Sequence, residues 1–520
     1  MQPTEASPSL SVLPYLTERP TDRNIYQSIG VEPIINCRGT FTILGGSVEL
    51  PEVLAAMEAA SGYFAQYDEL AAAVGQRLAD ITGAEWGLIA AGCAAGIKHV
   101  TIACVTGGNP EKLIRVPDLT GFDRTQVIIP GTSRNAYDHA VRNVGVDVVT
   151  VDTPEELERA IGPQTAMIYL TTGGASEPDR PLSLERIAAI AHPLQIPILA
   201  DAAAEDLTIP SIHLQRGATV VAYSGGKALC GPQCAGLVLG RKDLLISAWQ
   251  ASSPHHGPGR DNKIGKEEIM GMLAAVEAWV TRDHTAEWET WLALLETISQ
   301  RVTGIPGVST RVTEPTGLNN RSPTLTVSWD PDSLHITGEE VAEDFARNAP
   351  RIAIGCDDGA GEACLRITPS QMQPGDEIVV ADRIHHILAT DRNPRVTDMQ
   401  PAGTDLSGSW DLRIEYSTST SQHRLLIQQE GNWITGTHES DFTSQPLHGT
   451  VEGDQVKLES VARKPGDSVP FLFGGTIGAG SFSGSIHLGE YLTAEFTAER
   501  TRRDDRRRRI SIPGGPPLAT

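Results

Sequence analysis

The sequence predicts an α/β fold with a large, mostly parallel sheet domain, a smaller α/β domain after it, and an antiparallel β-barrel or sandwich toward the C-terminus. Two observations carry this prediction. From residue 24 to about 300, short apolar runs alternate with amphipathic segments, the pattern of crossover helices over a parallel sheet. After residue 404, short alternating strands with glycine-rich turns recur about every ten residues, which is typical of small antiparallel barrels and sandwiches.

The individual elements follow from these apolar runs. Strands of the large sheet are predicted at 125–130, 146–151, 165–172, 196–202, 218–224 and 235–240. Helices are predicted at 154–162, at 183–194 with Ser183 as the N-cap, and as one long helix through 266–302. In the smaller domain we expect a strand at 324–330, a helix at 337–348 and a strand at 364–368.

The predicted domain boundaries follow changes in composition along the chain. We expect a flexible tail over 1–23, the large domain over 24–300, the small domain over 301–395, the all-β domain over 404–500 and a disordered, arginine-rich tail over 501–520. The all-β domain is predicted to be lipocalin-like or streptavidin-like. It is either a ligand- or protein-binding module or a structural addition that helps the chain assemble, and the structural alternative is favoured.

Composition excludes several classes of function. The chain has 520 residues with 42 basic and 65 acidic side chains, a formal charge of -23, which argues against a general nucleic-acid binder. No continuous apolar run is long enough to span a bilayer. The seven cysteines are odd in number and scattered, so we expect a reducing, cytoplasmic location. Histidine and cysteine spacings complete no metal site, and we expect no metal.

The stretch AYSGGKALCGPQ, residues 222–233, surrounds one lysine with small and flexible residues. A phosphate-binding P-loop would need glycine where Val221 stands and serine or threonine where Ala228 stands, so that interpretation fails. The remaining interpretation is that Lys227 forms a Schiff base with an aldehyde cofactor at the end of a strand, where small neighbours leave room for the cofactor ring.

Two further segments point to the same place. Asp201 lies at the C-terminal end of a buried strand, where α/β sheets bind ligands, and a protonated pyridine nitrogen would supply its partner; the alternative is a helix N-cap. The segment GAEWGLIAAGCAAGIKHVTIA, residues 83–103, reads as strand, turn and helix, so the backbone N–H groups around Gly92, Cys93 and Ala94 can face an anion; the alternative is ordinary helix–sheet packing. Ser224 adds a hydroxyl three residues before Lys227.

Several motifs taken together resemble the fold-type I enzymes that use pyridoxal 5′-phosphate (PLP), in the branch of selenocysteine synthase and D-glucosaminate-6-phosphate ammonia lyase. The matching stretches are 35–53, 83–96, 133–145, 200–207, 223–245 and 265–279, within a resemblance that covers about residues 24–395. It implies PLP as cofactor, Lys227 as the Schiff-base lysine and Asp201 as the partner of the pyridine nitrogen. Near the phosphate it places Ser224, Gly92, Cys93 and Ala94.

The resemblance also implies a reaction and a substrate class. We expect a lyase that acts on an amino acid or amino-sugar acid, with Lys227 taking the α-proton before β-elimination and release of ammonia. β-Replacement as in selenium transfer, transamination, racemisation and aldol cleavage remain alternatives. A homodimer or higher homo-oligomer is implied.

Arginine and lysine side chains are the predicted ligands of an acidic substrate, because they bind carboxylate or phosphate. The residues are Arg38, Arg260, Lys263 and Arg366. Many relatives stack a histidine or aromatic ring on the cofactor, but the corresponding turn here offers Arg134, Asn135 and Tyr137 before His139. Arg134 is the predicted stacking residue, since a guanidinium can lie flat on a ring.

Overall fold

The computed structural model describes residues 24–173, 177–359, 361–394 and 398–501. The predicted tails, 1–23 and 501–520, lie outside the described residues apart from Thr501. The chain divides into two compact units, residues 1–395 and 396–520. Within the described ranges, no helix has the length and apolar character needed to cross a membrane.

The first unit alternates strands and helices along its whole length. Its strands are β1 (Ile34–Asn36), β2 (Trp86–Ala90), β3 (Gln126–Pro130), β4 (Asp147–Val151), β5 (Thr165–Thr171), β6 (Ile198–Asp201), β7 (Val220–Ser224), β8 (Gly236–Gly240), β9 (Ser309–Thr313), β10 (Thr324–Trp329), β11 (Arg351–Ala353), β12 (Gly355–Gly359) and β13 (Glu362–Ile367). Its helices are α1 (Pro51–Ser61), α2 (Tyr67–Thr82), α3 (Cys93–Thr106), α4 (Pro110–Leu113), α5 (His139–Arg142), α6 (Pro154–Ala160), α7 (Leu184–Ala191), α8 (Ile212–Gln215), α9 (Lys242–Ala251), α10 (Lys266–Thr281), α11 (His284–Val302), α12 (Pro331–Leu334), α13 (Gly338–Arg347) and α14 (Asp376–Leu388).

A seven-stranded sheet forms the centre of this unit, in the order β2-β8-β7-β6-β5-β3-β4. Strand β8 runs antiparallel to both of its neighbours, and the other pairings are parallel. Its central strands are buried on both faces, which explains their nearly continuous apolar sequences. The predicted parallel sheet and its six strands are confirmed, and Ser183 caps α7 by accepting a hydrogen bond from the Arg186 N–H at 3.3 Å.

The predicted single helix over 266–302 is wrong, because the chain breaks between α10 and α11 at Arg282 and Asp283. The Asp283 side chain accepts hydrogen bonds from the N–H groups of Thr285 and Ala286 at 3.1 and 3.0 Å. This N-cap starts a new helix, since it satisfies donors that no preceding turn could reach. The break places Arg282 in a loop rather than within a helix.

A smaller sheet with the order β12-β13-β10-β9 follows α11 and is antiparallel throughout. Its core includes Leu295, Ile298 and Val302 of α11, packed with strand residues such as Leu325 and Leu365. Helix α11 therefore belongs to this core, although the predicted boundary at residue 300 would divide it. Strand β1 pairs in parallel with β11, so an N-terminal segment also joins this part of the chain.

The second unit is a closed antiparallel barrel of eight strands, which confirms the barrel among the two predicted forms. The strands are β14 (Gly408–Glu415), β15 (Thr420–Glu430), β16 (Trp433–Glu439), β17 (Ser444–Glu452), β18 (Gln455–Lys464), β19 (Asp467–Ile477), β20 (Ser481–His487) and β21 (Thr493–Arg500). Alternate residues of each strand point inward, and aromatic side chains such as Trp410, Phe482 and Phe496 fill the core. The strand β14 pairs with β21, so the first and last strands close the barrel.

Two histidines are buried inside the barrel. His423 Nδ1 lies 2.9 Å from His438 Nε2, and His438 Nδ1 lies 2.7 Å from Ser460 Oγ and 3.1 Å from Gln445 Nε2. Burial lowers the pKa of His438 to about 3, and the charge of His423 adds to this. The His438 ring is therefore neutral at physiological pH, and burial lowers the pKa of His423 as well.

Candidate active site

The carboxyl group of Asp201 lies buried at the C-terminal end of β6, with three neighbours on its two oxygens. The Tyr169 hydroxyl donates to Oδ2 at 2.7 Å, the Ala203 N–H donates to Oδ1 at 3.1 Å, and the Cys93 Sγ lies 3.7 Å from Oδ1. Burial raises the pKa of Asp201, while these contacts and the charge of Lys227 oppose the rise.

The N-cap alternative for Asp201 does not hold. In the described chain the next helix after β6 is α8, which begins at Ile212, eleven positions further on. Burying a charged carboxyl group costs free energy unless a group of opposite charge pairs with it. A cationic ring nitrogen would do so.

The glycines before Lys227 let two turns pack closely together. The Gly225 N–H donates to the Ala235 carbonyl at 2.9 Å, and a Cβ built on Gly225 would lie 2.7 Å from that oxygen. A Cβ on Gly226 would lie 2.7 Å from the Cα of Gln233. Protein atoms rather than open space therefore surround these glycines. Because neither has a side chain, the turn that carries Lys227 packs closely against the segment 233–235.

The first turn of α3 presents unpaired backbone donors. Gly92 has φ +92°, and the first hydrogen bond of the helix runs from the Gly96 N–H to the Gly92 carbonyl at 3.1 Å. The N–H groups of Cys93, Ala94 and Ala95 precede that bond and have no acceptor in the described chain. A helix start with free N–H groups suits a phosphate.

Cys93 is a buried thiol rather than a nucleophile. Burial raises its pKa well above the ordinary value, and the charge of Asp201 raises it further, while Lys227 opposes this. The thiol stays protonated and packs against the carboxyl group. The ends of β6 and β7 and the start of α3 meet at one place, because Asp201 pairs with Ala222 of β7 in the sheet and Cys93 Sγ lies 3.7 Å from Asp201 Oδ1.

These three elements fit PLP. The carboxyl group matches a protonated ring nitrogen, the amine of Lys227 matches the aldehyde, and the free N–H groups of α3 match the phosphate. Ser224, the last residue of β7, is half-buried, and its hydroxyl has no hydrogen-bond partner among the described residues. It is therefore available to the same phosphate.

A cavity of about 330 Å³ opens beside Lys227. Cationic, aromatic and acidic side chains line it together. They include the cationic Arg38, Arg282 and Arg321, the aromatic Tyr137 and Trp288, the acidic Asp206 and Glu287, and His284. Such a wall suits a polar, anionic small molecule.

Of the four predicted substrate ligands, Arg38 lies in the cavity wall, with its guanidinium carbon 4.7 Å from the centre of the Phe41 ring. The other three are absent from the described wall of this cavity. Arg260 donates to Ser253 Oγ at 2.5 Å, Lys263 is exposed in the following loop, and Arg366 is exposed and forms an ion pair with Asp357 at 3.4 Å.

Arg134 makes its ion pair and a hydrogen bond with side chains that do not line the described cavity wall. It is paired with the fully buried Asp138 and donates to Thr150 Oγ1 at 2.9 Å. Asp138 also pairs with Arg142. Tyr137, three residues after Arg134, lines the cavity instead. The stacking role of Arg134 stays a prediction.

Sequence reasoning missed Tyr169, Arg282 and Arg321. The signal for Tyr169 was present: a phenolic hydroxyl in the apolar middle of β5, next in the sheet to the strand that ends at Asp201. The two arginines had no such signal, because each lies in a loop whose position depends on tertiary packing. Within the described residues, no group of three or more histidine, cysteine or acidic side chains is placed to hold a metal ion.

Three known proteins are similar to this chain in sequence. The chain is 30% identical over 293 residues to D-glucosaminate-6-phosphate ammonia lyase of Salmonella typhimurium, covering 55% of this chain and 77% of the relative. It is 28% identical over 393 residues to 5′-C-glycyluridine monooxygenase-decarboxylase of a Streptomyces species, covering 72% and 95%. L-seryl-tRNA(Sec) selenium transferase of Moorella thermoacetica is 25% identical over 316 residues, 52% of this chain and 61% of the relative.

A solved structure of D-glucosaminate-6-phosphate ammonia-lyase matches with a TM-score of 0.63 and 26% identity, covering 71% of this chain and 99% of that one. No family model matches the chain.

Proposed function

The chain belongs to the family of D-glucosaminate-6-phosphate ammonia lyase and selenocysteine synthase, PLP enzymes of fold type I, and we propose that it is a PLP-dependent lyase that releases ammonia from an amino acid or amino-sugar acid. The observation that carries the proposal is that Asp201 at the end of β6, Lys227 just beyond the adjacent strand β7, and the free N–H groups of α3 lie at one edge of the sheet. The cofactor follows from that set, and the lyase reaction from the relatives.

PLP, when bound, withdraws electrons and makes the α-proton of an amino substrate acidic. The protein's own residues then have separate tasks. Lys227 takes the α-proton, Asp201 holds the ring nitrogen protonated, and Tyr169 holds Asp201 in position. Ser224 and the N–H groups of Cys93 and Ala94 bind the phosphate.

We assign the substrate's anionic group to the cationic wall of the cavity. Of the four predicted substrate ligands, Arg38 is the one that lines the cavity, and Arg282 and Arg321 line it too. Arg260, Lys263 and Arg366 remain proposed substrate ligands, for which the cavity wall offers no support. A carboxylate or phosphate suits the planar fork of a guanidinium.

A second candidate is an oxygen-dependent decarboxylation. The Streptomyces monooxygenase-decarboxylase matches a larger part of this chain, 72%, than the Salmonella ammonia lyase, 55%. The two candidates predict different products: ammonia and a keto acid without oxygen uptake for the lyase, or carbon dioxide with oxygen uptake for the decarboxylase. β-Replacement, transamination, racemisation and aldol cleavage use the same acidified α-carbon and remain alternatives.

The test compares wild type, Lys227→Ala and Lys112→Ala, a control lysine in a surface ion pair with Asp123. We expect wild type and the control to show a visible absorbance band with PLP that borohydride fixes onto Lys227, and the Lys227 variant to lose it. Ammonia, keto acid, carbon dioxide and oxygen are then measured with candidate β-hydroxy amino acids. No band in PLP-saturated wild type would refute the cofactor, and oxygen uptake without ammonia would favour the second candidate.

We further propose a homodimer or higher homo-oligomer in the cytoplasm. Large apolar side chains near the N-terminus are exposed in the single chain, including Ile43 at 89% and Phe64 at 103%, and a second copy would cover them. All seven cysteines are free, which supports a reducing compartment. Sedimentation equilibrium tests the assembly.

The barrel is proposed as a structural addition, with ligand or protein binding as the alternative. Its aromatic core is filled by its own side chains, which supports the structural role. Deleting residues 404–520 should keep turnover and change assembly, as measured by ammonia release and sedimentation. Loss of turnover with assembly intact would oppose this role.

A further inference from the structure

Asp206 lies in the wall of the same cavity as Lys227, on the loop that follows β6. Its N–H donates to the Leu318 carbonyl at 3.1 Å, and the Asn320 N–H donates to the Ala204 carbonyl at 2.7 Å. These hydrogen bonds join the loop after β6 to the loop before β10. They bring Asp206 beside Arg321, whose Nη1 lies 3.6 Å from Asp206 Oδ2.

The charges around Asp206 make its protonation depend on Arg321. Burial raises the pKa of Asp206 to about 6; Arg321 and His284 oppose the rise, and the charge of Glu287 adds to it. Arg321 is the largest opposing influence. If the guanidinium moves away, the carboxyl group holds its proton more firmly near neutral pH.

Arg321 is placed so that an anion can compete for it. Its side chain is 48% exposed, against 16% for Asp206, and it lines the cavity with its guanidinium carbon 5.4 Å from the centre of the Trp288 ring. Their ion pair is long, at 3.6 Å. A carboxylate or phosphate on the substrate offers the guanidinium two closer oxygens.

On the basis of the proposed lyase function, we propose that Asp206 is the general acid that protonates the departing β-hydroxyl group, and that an anionic group of the substrate draws Arg321 away from it. Lys227 removes the α-proton, and the electron pair of that C–H bond becomes the Cα=Cβ double bond. The Cβ–O bond breaks with its electron pair on oxygen, which takes the Asp206 proton and leaves as water. Asp206 regains a proton from solvent before the next turnover.

The other carboxyl group of the described cavity wall is less suited to this role. Glu287 lies between two partners, Arg282 at 3.5 Å and His284 at 3.7 Å. In addition, Arg282 is held by the carbonyl oxygens of Ala228 and Leu229 at 3.2 and 3.3 Å, so it is not easily drawn away. Asp206 has a partner that a substrate can remove.

The first test measures protons rather than turnover. Sulfate, an anion of constant charge near neutral pH, is titrated by calorimetry into the PLP-loaded full chain in two buffers of different ionisation heat. We expect sulfate binding at about pH 7 to take up a fraction of a proton, and the uptake to shrink at about pH 5, where Asp206 already carries one. Asp206→Asn should bind sulfate without the uptake, and Arg321→Gln should bind it more weakly. Uptake that persists in Asp206→Asn, or no uptake in wild type, would overturn the proposal.

The second test separates a general acid from a structural residue by the leaving group. With the β-hydroxy substrate that releases ammonia, Asp206→Asn should lower kcat by about 10²- to 10⁴-fold. With the β-chloro analogue, whose chloride leaves without a proton, it should retain most of the wild-type kcat, as should the surface control Asp123→Asn with both substrates. Equal losses on both substrates would refute the acid role. If no substrate releases ammonia from wild type, the lyase function fails, and the calorimetric test still decides the Asp206–Arg321 exchange.

Discussion

Replacing Tyr169 with phenylalanine tests how much the buried carboxyl group depends on its one side-chain hydroxyl donor. The ring of Tyr169 is fully buried, so phenylalanine keeps the packing and removes only the hydrogen bond to Asp201 Oδ2 at 2.7 Å. A hydrogen bond to a charged group contributes about 1.5–3 kcal/mol. Its loss further raises the pKa of Asp201 and weakens the pairing with the ring nitrogen.

We therefore expect Tyr169→Phe to bind PLP about 10- to 150-fold more weakly than wild type, since each 1.4 kcal/mol is about a factor of ten. The assay is an equilibrium titration of dialysed protein with PLP, followed by visible absorbance. Tyr223→Phe is the matched control: that tyrosine is also fully buried, but its hydroxyl meets Ser211 Oγ at 3.2 Å, a neutral partner. Wild-type affinity in Tyr169→Phe, or equal weakening in both variants, would refute the reasoning.

Two further predictions concern packing and pH. Gly226→Ala should lower the free energy of unfolding by about 1–3 kcal/mol, because the new Cβ would lie 2.7 Å from the Cα of Gln233, whereas Gly162→Ala meets no atom within 4 Å and should unfold like wild type in thermal denaturation. Burial lowers the pKa of His438 in the folded barrel to about 3, whereas in the unfolded chain this histidine has its ordinary pKa of about 6.5. As the pH drops from about 6.5 toward 3, only the unfolded state binds the proton, so the free energy of unfolding falls. We expect a loss of about 2 kcal/mol between about pH 7 and 5, read by hydrogen exchange of barrel peptides in the full chain; His438→Gln should remove this loss and the exposed His448→Gln should keep it.

Much of the fold was predictable because the apolar pattern of each strand in the sequence agrees with which of its residues are buried in the structure. Strands such as β6 and β7 are apolar runs bounded by polar residues, and the barrel strands alternate between inward and outward side chains. The break between α10 and α11 was not predictable from apolar spacing, because the helical pattern continues through it. At the break the backbone of Arg282 is extended, and the Asp283 side chain caps the new helix by accepting from two N–H groups.

Some residues of the candidate site could be predicted from local sequence, and others depend on tertiary packing. Lys227 and Asp201 could be proposed from the sequence because Asp201 is the last residue of one strand and Lys227 lies just after the next, so their positions depend mainly on the sheet. Arg321 and Asp206 meet because two loops far apart in sequence share backbone hydrogen bonds, and no local pattern records such a pairing. Arg366 was chosen for its family position in a strand; it is exposed and paired with Asp357, and its role in substrate binding stays a prediction.

The pairing of β14 with β21 has an evolutionary consequence. Trp410 lies opposite Arg500, so the chain enters and leaves the barrel on adjacent strands. A domain whose two ends are neighbours can be gained, lost or moved to a surface loop of another protein by one genetic event, without separating strands that must pair. Relatives that carry the PLP-binding part with no barrel, or with a different domain in its place, would be the natural products of such exchange.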